Sequence, residues 1–164
     1  IIYSPHDEMR KVIFALLLLC LPLYASAQQE RDFATQFMAL YAHEDANLTC
    51  KTISPEMMTE MLQTEMVKND NDTKNIIRQI KTLQVIRSID KDTAPLHYKN
   101  ALNLATLNKK RFTLYAYGDK YQIYQRRKGN TIVELVHIYL NDDTFCITDL
   151  TGQMTKDFIK CLAE

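Results

Sequence analysis

After Lys110 the chain changes period, and that change constrains its fold more than any other feature. Upstream, apolar residues recur every three to four positions; downstream they alternate. Four strand candidates follow in succession over residues 112–117, 121–126, 131–140 and 144–149. Gly118-Asp119, Gly129-Asn130 and Asn141-Asp142 separate them, and such pairs supply the backbone that tight hairpins require. Strands joined by such short turns run antiparallel. The chain then closes on an amphipathic stretch, Gln153 to Leu162, with Met154, Phe158, Cys161 and Leu162 on one helical face. A strand meander followed by a terminal helix is predicted.

The part before the meander is helix-rich. Phe33, Phe37, Leu40 and Tyr41 recur at helical spacing within residues 29–42, and residues 48–53 form a short strand candidate. Ser54-Pro55-Glu56-Met57 is a helix start, with serine as N-cap and proline at the first helical position. That helix carries Met57, Met58, Met61 and Leu62, a stripe read as core packing with a plastic binding surface as the alternative. Asp72 or Thr73 is predicted to cap the next helix, which brings in Ile76, Ile77 and Ile80. The polar loop at 68–72 lacks the glycine and distal glutamate of a calcium-binding loop. A strand over 83–89 and a helix from Thr93-Ala94-Pro95 through Leu107 complete this part. Helices outside a run of antiparallel strands indicate an α+β fold. The expectation is a single, mostly antiparallel twisted sheet with helices packed on one face.

Residues 9–27 have the three parts of a signal peptide. Arg10 and Lys11 give a positive start, Val12 to Leu23 an apolar core, and Ala25-Ser26-Ala27 a small-residue cleavage site. Met9 reads as the start, with residues 1–8 as upstream, non-native sequence. The apolar core is about 12 residues, against the roughly 20 of a membrane-spanning helix, so no transmembrane anchor is expected after cleavage. Cys20 follows Leu17-Leu18-Leu19 rather than a small residue, which favours plain cleavage before Gln28 over lipid attachment. Residues 28–164 then form a single α+β domain in a periplasmic or otherwise extracytoplasmic location.

That domain holds eighteen basic and eighteen acidic residues. Neutrality removes the electrostatic footprint of a nucleic-acid binder. The basic clusters Lys109-Lys110-Arg111 and Arg126-Arg127-Lys128 read as solvated strand ends.

Little in the chain resembles catalytic machinery. His43, His97 and His137 fall on separate elements without metal-ligand spacing and read as surface or edge histidines. Gly118, Gly129 and Gly152 are all placed at turns, leaving no phosphate loop, and no G-x-S-x-G elbow occurs. No cofactor, metal or catalytic residue is predicted.

Strand alternation gives the sharper reading. Phe112, Leu114, Ile132, Val136, Ile138, Phe145 and Ile147 are predicted to face the helices. The opposite parity collects Tyr115, Tyr117, Tyr124, His137 and Tyr139, with Thr113, Val133 and Leu135 between them. Glu134 falls on the helix-side parity, which points to a bulge or local edge. Tyrosines can simply cover a solvated sheet, but rigid aromatics also make recognition surfaces. These five residues are the predicted interaction face, meeting a protein, a glycan or a second copy of the chain. The reading is a non-catalytic interaction module; the alternative is a small-molecule carrier or enzyme with a site between sheet and helices.

Without the leader, Cys50, Cys146 and Cys161 remain. Cys146 lies between inward-facing Phe145 and Ile147 and so points away from the helices, whereas Cys161 shares the inward stripe of the last helix. No Cys146–Cys161 disulfide is predicted. A Cys50–Cys161 pairing is geometrically conceivable.

Several stretches together carry a family resemblance: LTCKTISPEMM (48–58), IKTLQVIRSID (80–90), HYKNAL (97–102) and VELVHIYLNDDTFCITDLTGQMTKDFIKCL (133–162). They resemble the small secreted Bacteroidota proteins grouped under domain of unknown function 4252. The resemblance implies the α+β fold and a Gram-negative envelope location. It brings no active site.

Overall fold

A computed structural model describes residues 30–163, with side chains through residue 159. The leader, residues 1–8 and the Cys161 side chain lie outside the described residues. Six helices and six strands alternate in blocks: α1 (Phe33–Tyr41), β1 (Thr49–Ile53), α2 (Pro55–Met61), α3 (Glu65–Lys68), α4 (Asn71–Gln79), β2 (Ile80–Ser88), α5 (Ala94–Leu107), β3 (Thr113–Tyr117), β4 (Tyr121–Lys128), β5 (Thr131–Asn141), β6 (Thr144–Met154) and α6 (Lys156–Ala163). The strands form one six-stranded sheet in the order β1-β2-β6-β5-β4-β3, antiparallel throughout. The predicted α+β class, the meander and the terminal helix are all present.

β6, the last strand, is central rather than at an edge, held between β2 and β5. Its composition accounts for that place. Phe145, Ile147 and Asp149 point to one face, Cys146, Thr148 and Leu150 to the other, and all but Thr148 are buried. Gly152 lies inside β6 instead of at a turn. A Cβ there would sit 2.0 Å from the Gln79 carbonyl oxygen, so only glycine lets β6 approach the start of β2 this closely.

The helices divide between the two faces of the sheet, which corrects the one-face arrangement. α1 and α5 cover the first face, where Phe33, Phe37 and Leu104 pack on Ile86, Val136, Ile138, Phe145 and Ile147. Each such fully buried side chain contributes about 1.5–3 kcal/mol. α2 to α4 and α6 lie on the second face. There Met58, Val67 and Ile77 pack on Ile53 and Leu83, and Phe158 and Ile159 pack on Leu135 and Leu150. Ile132, expected on the first face, joins this second group because a bulge between Ile132 and Glu134 shifts its phase. Of the methionine stripe only Met58 is buried; Met57 and Met61 are exposed.

Local signals decide the helix starts. Ser54 accepts the Met57 amide and Pro55 occupies the first turn of α2, as predicted. The cap of α4 is Asp70, not Asp72 or Thr73; its Oδ1 accepts the amides of both, at 3.0 and 3.1 Å. At α6, the Thr155 hydroxyl accepts the Phe158 amide at 3.3 Å. The Thr155 amide in turn donates to Gln79 Oε1 at 2.9 Å, tying the helix to the end of α4.

Three carboxylates meet the N-terminus of α1. Asp32 Oδ1 accepts the Thr35 amide at 2.7 Å, Glu134 Oε1 the Phe33 amide at 2.6 Å and Asp149 Oδ2 the Ala34 amide at 2.8 Å. The first-turn amides that an α-helix leaves without internal partners are thereby satisfied. Glu134 is thus on the helix side as its parity required, fully buried, and linked to the Arg126 Nε at 2.6 Å.

His97 is buried, which corrects its reading as a surface histidine. Its Nε2 lies 2.7 Å from Asp45 Oδ2, and its ring packs against both Phe37 and Phe145, which also touch each other. The contact pins the α1–β1 loop to α5. His43 is exposed, as expected.

Candidate functional site

The second face of the sheet is covered over only part of its area. Where Leu83, Leu135 and Leu150 align across neighbouring strands, α2 to α4 and α6 close over them. Further along the same strands the side chains are Thr148 and Cys146 on β6, His137 and Tyr139 on β5, and Tyr121 on β4. Cross-strand registers bring them together: Tyr121 opposes Tyr139, Tyr139 opposes Cys146, and His137 opposes both Ile123 and Thr148.

A groove of about 410 Å³ runs along the boundary between the two regions. Ile123, Leu135, Leu150 and Ile159 supply apolar lining, and Tyr115, Tyr121 and His137 supply aromatic and polar groups. A second, shallower depression of about 310 Å³ lies beyond Tyr121 and His137, bounded by Lys120, Tyr139 and Asn141. His137 stands between two tyrosine rings, 5.6 Å from Tyr121 edge-on and 5.3 Å from Tyr139 in a tilted contact.

Burial lowers the His137 pKa below its ordinary 6.5, so the imidazole is neutral at pH 7. The groove lining therefore carries no formal charge there. Burial also raises the pKa of the neighbouring Cys146 thiol, despite its contact with Tyr139, which keeps it protonated. Such a lining suits an uncharged, largely apolar or aromatic ligand, with His137 and the tyrosine hydroxyls as orienting groups. Among the described residues, no group of three or more His, Cys, Asp or Glu side chains could hold a metal ion.

Three of the five predicted face residues, Tyr115, His137 and Tyr139, reach this surface. Tyr124 does not. Because Ile123 opposes His137, Tyr124 opposes Val136 and enters the first-face core, its hydroxyl bonded to Gln122. Tyr117 is likewise on the first-face side, opposite Gln122, and is exposed at the edge strand. A bulge between Leu114 and Ala116 accounts for this shift, since it lets Tyr115 and Ala116 both line the groove. Tyr121 belongs to the site and was missing from the sequence reading. Its separation of three residues from Tyr124 was the available signal, because only one of the two can share a face with His137. Val133 and Thr113 take no part in the groove.

Cys146 is on the second face, opposite Phe145 and Ile147, and is a free thiol, as is Cys50. Cys50 opposes Ile86 and so has first-face parity.

The sequence matches the family model described as a domain of unknown function, DUF4252, over residues 41–162. The chain belongs to that family. The DUF4252 span begins at the last residue of α1 and takes in all six strands, so every residue lining the groove falls within it. The capping carboxylates Glu134 and Asp149 are also inside the DUF4252 region, whereas the N-terminus of α1 precedes it. No curated protein and no solved structure matches the chain. Among the described residues of this DUF4252 protein, no helix is long and apolar enough to cross a membrane.

Proposed function

We propose that this DUF4252 protein is a non-catalytic, extracytoplasmic binding module that engages a protein partner or a second copy of itself through the open part of its second sheet face. One observation carries the reading. Tyr115, Tyr121, His137 and Tyr139 converge on an aromatic surface with Lys120 and Arg87 at its margin, beside a groove whose lining carries no formal charge. Aromatic side chains of this kind are enriched where proteins meet. The leader-like segment 9–27 supports export, and N-terminal sequencing of the processed protein beginning at Gln28 is the outcome expected for it.

The groove also favours a second reading. It lies between the sheet and α6, and its volume of about 410 Å³ falls within the range of small-molecule sites. A carrier of a small apolar compound is the alternative function.

Sedimentation equilibrium and co-purification separate the two. Tyr121→Ser with Tyr139→Ser is expected to abolish self-association or partner retention while the fold persists, and Tyr117→Ser, on the other face, is expected to leave it intact. If association survives the double substitution, the interaction reading fails. A small molecule released on denaturing the purified protein favours the carrier.

A further inference from the structure

Three carboxyl groups gather at the N-terminus of α1. Glu134 and Asp149 reach it from adjacent strands and are 0% and 1% exposed. Asp32 caps the helix from outside, and Gln84 donates to its Oδ2 at 3.1 Å. The nearby charged and titratable groups are Asp32, the Arg126 guanidinium on β4 and the Cys50 thiol on β1. If all three carboxyls were ionised, three negative charges would crowd around the Arg126 guanidinium and a helix end worth roughly half a positive charge. The three amides and Arg126 account for Asp32 Oδ1, both oxygens of Glu134 and Asp149 Oδ2. Among the described residues, none gives buried Asp149 Oδ1 a hydrogen-bond partner. An unpartnered ionised oxygen in such a place is among the costliest groups a fold can hold.

We propose that Asp149 carries a proton while α1 is docked, and that the cluster is a pH-sensitive latch which loosens α1 from the sheet when that proton is lost. The proton resides on Oδ1, and Glu134 remains the ion paired with Arg126. Burial and the neighbouring Glu134 both raise the Asp149 pKa well above its ordinary value, consistent with this assignment. The sign follows from linkage: a carboxyl whose pKa is higher in the docked state stabilises docking at low pH. That contribution is lost as pH rises from the ordinary value near 3.8 through the docked one. The latch acts on α1, whose residues before Tyr41 precede the DUF4252 span, rather than on the sheet itself.

Hydrogen exchange measured from pH 5 to 9, corrected for intrinsic rates, tests the latch. Protection of the α1 amides is expected to fall as pH rises toward the docked pKa of Asp149, by up to about tenfold per unit, the limit for one proton, and to level off above it. The β5 and β6 amides are expected to hold. Asp149→Asn is expected to remove the transition and keep α1 protected at high pH. A wild-type measurement covers the case in which the variant does not fold: the Asp149 side-chain carbon, followed by nuclear magnetic resonance, is expected to titrate at the pH where α1 protection levels off. PH-independent protection of α1, or titration of Asp149 in the ordinary carboxylate range, overturns the proposal.

Discussion

Tyr121 stands edge-on to His137, their ring centroids 5.6 Å apart at 77°, and the two residues form the wall shared by both depressions of the open face. The contact is made by neutral groups, since burial keeps the imidazole pKa below 6.5. For a base with a lowered pKa the unfolded chain takes the proton first. Stability is then complete above about pH 6.5 and declines as pH falls through the folded value. His137→Gln is expected to flatten that decline, read as urea midpoints between pH 7.5 and 5. An unchanged slope would place the acid sensitivity elsewhere.

Glu134→Ala leaves the Phe33 amide without its acceptor and the largely buried Arg126 guanidinium without its close carboxylate. Removing one member of a buried ion pair costs about 3–5 kcal/mol. Denaturant unfolding should show a loss of that size; a loss below about 1 kcal/mol would mean that water replaces the carboxylate.

Gly152→Ala puts a methyl group into the backbone of Gln79 and Ile80, where the close atoms are main chain and cannot rotate aside. The expected cost is about 3 kcal/mol, the upper end for overpacking. Because the α4–β2 junction has to move, the Gln79 side chain should also lose its hold on Thr155. Thermal unfolding measures the first effect and exchange of the Thr155 amide the second.

His97→Ala leaves a cavity beside the rings of Phe37 and Phe145 and takes away the partner of Asp45. A loss of about 3 kcal/mol is expected from the cavity. The His97 contact is the main cause holding the Asp45 carboxyl below 3.8, so this pair stabilises the fold above that pH and its contribution disappears as pH falls further. The variant should therefore show less acid sensitivity below pH 4 than the parent, as measured by circular dichroism.

How much of this was legible in the sequence depends on how local each signal is. The hairpins after Lys110, the Ser54-Pro55 start of α2 and the extent of α5 rest on neighbouring residues, and they appear where expected. The facing of the strands rests on phase, and bulges at Leu114/Ala116 and at Val133, where Arg126/Arg127 lie opposite Ile132/Glu134, reset it. That is why Tyr124 is in the core and Ile132 is under α6. The second layer of helices was hidden because β6 pairs with β2, a contact spanning more than fifty residues. One polar signal was readable and half used. Glu134 fell on the helix-side parity, and Asp149, in phase with Phe145 and Ile147, was the second buried acid that its position implied.

The central claim is that the open part of the second face is where this protein binds. Site-specific photo-crosslinking in cells tests it most directly, with the photoreactive group at position 121 on the rim of the groove and, as a control, at position 107, where Leu107 is 83% exposed on α5. The account predicts a discrete adduct, to a partner or to a second copy, from position 121 and none from position 107. No adduct at 121, or the same adduct from both positions, would contradict it.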